Sequence, residues 1–374
     1  MKNILITGYE GFIGKNLKIK LKTKNWINLF LFGKNNNLEQ LKEYINSIDI
    51  IIHLAGENRS DNENDFYLNN TKFTKTLCDF VEEKYLKEKK KTTIIYSSSI
   101  KVDENSFYGN TKLQCENCLK NLSKKRNIDI FIYRLTNVFG KWSKPNYNSA
   151  IATFCHNISR GIEITIDNPE NSINLLYIDD LIKSFIKTIK SLNKYKGINY
   201  VQVDPVYKVK LKEIVKKIYA FNETREKNYV LNVGKGFDRK LYATYLSFLP
   251  QNNFKKEINQ HSDSRGTFSE LIKTSSSGQF SFFTALPGVT RGSHYHNTKS
   301  EKFVVVKGEA EFRLKCLLSG KEYVTNLSEK KLEMIDSIPG WIHEIKNTGA
   351  SKLIVFVWAN EVFDQNQPDT YREI

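Results

Sequence analysis

The chain has no stretch approaching the roughly 20 apolar residues that a membrane span requires, so no transmembrane helix is expected. Its opening residues, Met1 to Gly8, break too early for a signal peptide and read as a first strand. Cysteine is scarce: Cys78, Cys115, Cys118, Cys155 and Cys316 are scattered, as suits a reducing cytoplasm. Cys115 and Cys118 form one C-x-x-C, and no second pair exists to complete a zinc site; two small residues on one helix face are expected there. No internal repeat is present. Dense basic clusters are also lacking, although the net charge is +16. Lysine is dispersed along a chain rich in Asn and Ile, and only Lys87 to Lys91, with Glu88 inside, forms a run. Nucleic-acid binding is therefore not expected, while a diffuse positive field would still attract a diphosphate.

A chain of 374 residues with 40 % hydrophobic and 12 % aromatic content is long enough for two or three globular domains. Residues 4–7, 28–32, 50–54, 93–97 and 130–134 read as buried strands, with helices at 15–22, 38–47, 71–87 and 108–124 between them. That alternation predicts an α/β, Rossmann-type doubly wound parallel sheet. From about Phe254 the pattern changes to short alternating strands, including 280–285, 302–306, 309–314 and 353–358, which predicts an all-β barrel. We place the boundary at 250/251, giving a first domain of residues 1–250 and a second of 251–374.

Gly8-Tyr9-Glu10-Gly11-Phe12-Ile13-Gly14 lies between the first strand and the first helix. Glycines there allow a tight turn and close approach of the backbone to a pyrophosphate, whose charge meets the helix N-terminus. NAD sites of this kind usually carry an acid at the end of the second strand. Here the strand ends Leu31-Phe32-Gly33-Lys34-Asn35, with no acid, and Lys34 could pair with a 2′-phosphate. NADPH is the expected cofactor. Tyr108 and Lys112, four residues apart at the start of a helix, share one face. A lysine charge lowers a phenol pKa that starts near ~10, so Tyr108 could exchange a proton with a sugar oxygen as hydride moves at the adjacent carbon. Ser99, with Ser98 beside it, would orient that oxygen.

These residues resemble the extended short-chain dehydrogenase/reductase family over about two-thirds of the chain. The resemblance extends to His53-Leu54-Ala55-Gly56, Asn70, the segment Arg134-Leu135-Thr136-Asn137-Val138-Phe139-Gly140 and Tyr177-Ile178-Asp179-Asp180. It implies that Leu54, Ala55, Gly56 and Asn70 border the cofactor and that Asn137 touches a nucleotide-sugar substrate. Sugar 4,6-dehydratases of this family need an acid pair after the strand serine. Ser98-Ser99-Ile100 stands there instead, so dehydration is not expected.

The second domain carries His294, His296, Glu301 and His343 between Gly288, Gly308 and Gly340. Histidines at i and i+2 of a strand face one side, and a nearby glutamate with a distant histidine can complete a mononuclear metal site in a small barrel. The pattern resembles the cupin superfamily, with Pro339-Gly340-Trp341-Ile342-His343 and Asn347 as its second motif. Zinc is the first choice; manganese, iron and nickel suit the same donors. Arg291-Gly292-Ser293-His294 and Asp263-Ser264-Arg265-Gly266 also resemble metal-free deoxysugar 3,5-epimerases, in which the histidine is a base and Arg291 would meet the substrate. An imidazole bound to metal cannot also be that base, and the other three ligand-type residues favour the metal. The sequence names no base: Tyr295 and Lys302 lie close in sequence, but either could simply face solvent.

A reductase followed by a cupin is similar to the capsule-biosynthesis bifunctional reductase/epimerase family of the CapF/WbjC type. The match runs end to end and includes residues 140–149, 242–250 and 363–371. It implies a homodimer that epimerises C3 of a UDP-4-keto-6-deoxy-N-acetylhexosamine in the cupin. The reductase then reduces C4 to UDP-2-acetamido-2,6-dideoxy-L-talose, en route to UDP-N-acetyl-L-fucosamine. The competing expectations are a nucleotide-sugar 4-epimerase with a regulatory cupin and a non-catalytic NADP(H)-sensing scaffold.

Overall fold

The computed structural model describes residues 1–227, 229–257, 261–263, 266–268, 273–274, 278–361 and 366–372. Contacts divide the chain into two compact units: Met1–Ser149 with Asn174–Lys208, and Ala150–Ile173 with Val209–Ile374. This division differs from the 250/251 boundary, which marks the change of sequence pattern and which we retain as a proposal.

In the first unit, strands β1 (Lys2–Thr7), β2 (Ile27–Phe32), β3 (Ile50–His53), β4 (Thr93–Ser99) and β5 (Ile130–Leu135) join Ile198–Tyr200 in a sheet of order β2-β1-β3-β4-β5 and Ile198–Tyr200. All five pairings are parallel. The strands are short runs rich in Ile, Leu and Phe because helices bury both faces of a parallel sheet. Ile4, Leu5, Ile6, Ile51, Ile52, Ile94, Ile95, Ile130 and Ile132 have at most 1 % exposure. Each such side chain contributes about 1.5–3 kcal/mol by leaving water. The chain passes from β1 outward to β2 and then returns to the other side of β1 as β3. The gap at the β1 and β3 C-termini is therefore a topological switch point, where open α/β sheets take ligands.

Helix starts follow local chemistry. Asn37 and Gln40 form a reciprocal capping box for Leu38–Ser47. Ser106 caps Phe107–Arg126 by accepting the Gly109 N–H at 3.1 Å, and Lys124, Lys125 and Arg126 occupy that helix's last turn. A π-helical segment, Tyr67–Lys72, runs into Phe73–Glu88 and carries Asn70.

The second unit contains two five-stranded antiparallel sheets, the cupin-like all-β arrangement expected. One orders Lys255–Glu257, Glu333–Asp336, Glu301–Lys307, Leu353–Ala359 and Gln279–Ala285. The other orders Glu322–Ser328, Glu309–Cys316, Trp341–Asn347, Thr290–Tyr295 and Tyr371–Arg372. Helices Ala150–Ile158, Leu211–Glu226 and Gly236–Leu246 belong to this unit. Among the described residues, no helix is long and apolar enough to cross a membrane.

Candidate active site and candidate metal centre

The first site is built at the switch point from backbone before side chains. Gly8 has φ +72°, and a Cβ there would lie 2.7 Å from the Ala55 backbone. Only glycine serves both demands. A Cβ on Gly14 would come 2.3 Å from the Gly8 carbonyl oxygen. Gly11 caps Phe12–Lys22 with no side-chain bond to its N–H groups and no acid in the first turn, so those donors are open to an anion. Phe12 and Ile13 are half-buried behind it.

At the end of β3, His53 is fully buried and bridges Thr7 Oγ1 (2.8 Å) and Thr74 Oγ1 (2.9 Å). Burial, with a smaller push from the Lys112 charge, lowers its pKa to about 3, so it is a neutral strut. Leu54 and Ala55 donate their N–H groups to Thr7, at 3.2 and 3.3 Å. Asn70 then fixes the following loop: it accepts the Glu57 N–H (2.7 Å) and donates to the Glu57 carbonyl (3.0 Å) and Thr111 Oγ1 (3.1 Å). A Cβ on Gly56 would meet Asn70 Oδ1 at 2.6 Å and Lys112 Nζ at 3.5 Å, so these three residues converge.

The expectation that Lys112 lowers the Tyr108 pKa is not met. Burial raises it, and the neighbouring Ser99 hydroxyl offsets this only in part. Lys112 is itself buried, which lowers its pKa, and its Nζ donates to the Ser97 carbonyl at 2.9 Å, 5.9 Å from the Tyr108 ring centre. The ammonium is therefore beside the phenol but committed to the backbone.

Ser98, Asn137 and Lys34 each have a partner within the protein. Ser98 is 3 % exposed and donates to Glu116 at 2.7 Å rather than opening toward a substrate. Glu116, fully buried, also accepts two bonds from Arg134 (3.0 and 2.9 Å) and one from Tyr200 (3.1 Å). Burial alone would raise the Glu116 pKa, but the Arg134 and Ser98 bonds take it below its usual value. Asn137 is exposed and donates to the Asn174 carbonyl at 3.3 Å. Lys34 is exposed, and its N–H donates to Glu10 Oε2 at 3.1 Å. An acid thus stands at the end of β2 after all, supplied by the glycine-rich turn, which a search of the strand's own sequence cannot find.

The loop after Gly140 is fastened at three points. Lys141 Nζ donates to both Asp179 oxygens at 2.9 Å, Asn16 donates to the Lys141 carbonyl at 3.3 Å, and Tyr147 donates its phenol to Glu57 at 2.6 Å. Asp179 of the Asp-Asp element is therefore an ion-pair partner.

The second site draws on several strands. His294 on Thr290–Tyr295 is paired in register with His343 on Trp341–Asn347. A bulge between Gly292 and His294 sets this register, with Gly292 at φ +99° and Ser293 at φ +54°. A Cβ on Gly292 would meet the His343 carbonyl at 2.8 Å. Ligand-type atoms of His294, His296, Glu301 and His343 lie within 4.8 Å of one another. Glu301 Oε2 is 2.9 Å from His296 Nε2 and 3.3 Å from His343 Nε2. Burial lowers the pKa of His294 to about 4 and also lowers that of His343. Burial would raise that of Glu301, but bonds to His296 and His343 hold it well below its usual value. Neutral imidazoles at His294 and His343 beside an ionised Glu301 are protonation states that a divalent transition metal needs. His343 Nδ1 is buried without a hydrogen-bond partner among the described residues, a further sign that the cluster suits a cation. Three nitrogens and one oxygen fit zinc better than calcium or magnesium.

Arg291 is exposed, donates to the Thr284 carbonyl at 3.3 Å and lies over the Phe283 ring. Tyr295 is buried against Tyr371, on the opposite strand face from His294 and His296. Lys302 is also turned away: it is buried, bonded to Asp336 in a cluster that includes Arg225. Neither residue is placed to act as the base. Ser264, Arg265 and residues 363–365 of the other resembling segments lie outside the described residues.

Comparisons with known proteins agree with this fold. Residues 4–201 match the NAD dependent epimerase/dehydratase family, and residues 261–371 match the polysaccharide biosynthesis C-terminal domain. A UDP-2-acetamido-2,6-beta-L-arabino-hexul-4-ose reductase of Pseudomonas aeruginosa is 43 % identical over 368 residues, 98 % of this chain and 97 % of its own. The crystal structure of the capsular polysaccharide assembling protein CapF from Staphylococcus aureus superposes with a TM-score of 0.65 and 37 % identity, covering 99 % of each chain. A UDP-glucuronic acid 4-epimerase from Bacillus cereus matches the fold alone: TM-score 0.52, 19 % identity, 59 % of this chain and 83 % of its own.

Proposed function

The chain belongs to the NAD dependent epimerase/dehydratase family, and from that premise we propose that it is a bifunctional nucleotide-sugar enzyme of capsule or O-antigen biosynthesis. Its substrate is a UDP-4-keto-6-deoxy-N-acetylhexosamine. The cupin-like part inverts C3, and the reductase part reduces C4 to UDP-2-acetamido-2,6-dideoxy-L-talose. The observation that carries this reading is the closeness of Ser99, Tyr108 and Lys112, with Lys112 Nζ beside Gly56 after β3, in a chain that also gathers three histidines and a glutamate. Its relationship over 98 % of its length to a hexulose reductase supports the same substrate class.

When bound, NADPH would supply the hydride for reduction of the C4 carbonyl. Gly8, Gly11, Phe12, Ile13 and Gly14 would hold its pyrophosphate; Lys34 its 2′-phosphate; and Leu54, Ala55, Gly56, Asn70 and Lys112 its nicotinamide half. Tyr108 has a raised pKa, so the phenol is protonated at neutral pH and can give its proton to the oxygen that becomes the C4 hydroxyl. Ser99 orients that oxygen. Asn137 and Arg291 remain proposed substrate contacts, each with a side chain exposed enough to reach one.

His294, His296, Glu301 and His343 would hold a divalent ion, zinc for preference, which polarises a ketone as a Lewis acid and makes its α-hydrogens acidic. Loss of the C3 proton and its return on the opposite face inverts that centre. Later reduction removes the ketone and fixes the configuration. A homodimer in the cytoplasm completes the proposal.

The test is incubation of the keto-sugar in deuterated water, with and without NADPH. Label at C3 without cofactor, and loss of nicotinamide absorbance with it, are expected. Interconversion of C4 epimers without net NADPH consumption would instead identify a 4-epimerase. Cofactor binding without any turnover would identify a sensing scaffold.

A further inference from the structure

Part of the sequence match, residues 366–371, has no place in the chemistry above, yet it is bonded directly to the candidate metal centre. The Asp369 carboxylate accepts the N–H groups of Asn297 (3.1 Å), Thr298 (2.6 Å) and Lys299 (2.6 Å), together with the Thr298 hydroxyl (2.8 Å). These donors make up most of the spacer between His296 and Glu301. The Asp369 carbonyl oxygen accepts from His296 Nδ1. A carbonyl cannot donate, so Nδ1 carries a proton, and Nε2, on the Glu301 side of the ring, is the nitrogen whose lone pair a metal would take in the neutral imidazole. The next residue, Thr370, is bonded to Lys299 Nζ at 2.8 Å, and that ammonium lies 3.8 Å from Glu301. Asp369 is 8 % exposed, and Arg239 stands 3.6 Å from its carboxylate.

A segment that only covered a barrel would contact it at scattered points. Here one residue sets both the tautomer of a ligand and the conformation of the turn that spaces two ligands. We infer that Asp369 is a positioning residue of the metal centre. Its carboxylate holds residues 297–299, and its carbonyl presents the His296 Nε2 lone pair to the ion. This inference rests on the metal reading proposed above.

The experiment compares the full-length parent, Asp369→Asn and Thr298→Val. Zinc affinity is measured by competition with a chromophoric chelator, and unfolding midpoints are measured with and without zinc. A cooperative unfolding transition without zinc reports folding, and NADPH affinity, which depends on residues of the other unit, checks that the change stays local. Partners that orient metal ligands typically carry about 10–100-fold in metal affinity, and Asp369→Asn is expected to lose that much. Thr298→Val should lose less. The rise in midpoint that zinc produces should shrink in both; a merely structural role would lower the two midpoints together and leave the rise unchanged. Asp369→Asn that binds NADPH and holds zinc like the parent overturns the inference. If Asp369→Asn does not fold, Thr298→Val decides: weaker zinc binding supports the inference and parental binding overturns it. A parent that takes up no zinc removes the metal reading and this inference together.

Discussion

The two candidate sites are assembled by opposite means. At the end of the parallel sheet, the cofactor region is shaped by backbone: Gly8 at positive φ, Gly14 against the Gly8 carbonyl, and strand ends diverging at β1 and β3. In the antiparallel sheets, the metal-type cluster is shaped by side chains projecting from strands in register, His294 opposite His343, with Glu301 bonded between His296 and His343. A site made by backbone should fail when a Cβ is added. A site made by side chains should fail when a donor atom is removed, with the surrounding sheet intact.

The largest effect is expected from Gly8→Val. A β-branched residue at φ +72°, with its Cβ 2.7 Å from Ala55, adds a clash to about 1–3 kcal/mol of backbone strain. NADPH binding, followed by fluorescence titration, should be lost while zinc binding is kept. Next is Glu301→Gln, which keeps shape and removes charge. Zinc affinity should fall by more than about 100-fold, beyond the usual cost of losing a residue that only orients a ligand, with NADPH affinity unchanged. If either substitution damages both sites equally, the contrast between them fails.

Glu116→Gln probes the reductase unit without touching the phenol. It leaves the Arg134 guanidinium without its buried counter-charge and should cost about 2–3 kcal/mol in denaturant unfolding, below the full buried-pair value because Arg134 is partly exposed. The sign of the pH effect follows from the lowered Glu116 pKa. Folding is favoured by this group above the unfolded carboxylate pKa of roughly 4.3, and the contribution is lost as pH falls through the folded value. The parent should therefore lose stability over this acid range more steeply than the variant. The smallest effect is expected from Glu10→Gln. Removing an exposed charge beside Lys34 should shift preference toward NADPH over NADH by roughly two- to fivefold, the scale of surface charge pairs, measured from the two kcat/KM values.

What could be read in advance divides along the same line. Strands β1 to β5 were legible because a doubly covered parallel sheet demands short Ile-, Leu- and Phe-rich runs, and the glycine-rich turn because only glycine meets its steric demands. The four metal-type residues were legible from spacing alone. Less could be read wherever the decisive partner is distant in sequence. Glu116 sits in a Lys-rich helix and looks like a solvated acid until Ser98, Arg134 and Tyr200 are seen around it. Glu10 reaches the end of β2 only through the fold. Thr290–Tyr295 and Trp341–Asn347, the strands bearing His294 and His343, have too little apolar alternation to be delimited, since a bulge and polar ligands interrupt it. Lys302 adjoins Glu301 in sequence, but adjacent strand residues face opposite ways, and it is buried against Asp336 instead.

The most direct test of the account follows the keto-sugar in deuterated water with the parent, Tyr108→Phe and His296→Ala. Tyr108→Phe should still place deuterium at C3 while NADPH consumption falls by about 10²–10⁴-fold. His296→Ala should bind NADPH normally and leave C3 unlabelled. Conversion of the precursor to the final alcohol at the parental rate by both variants would contradict the assignment of these two residues to two separate chemical steps.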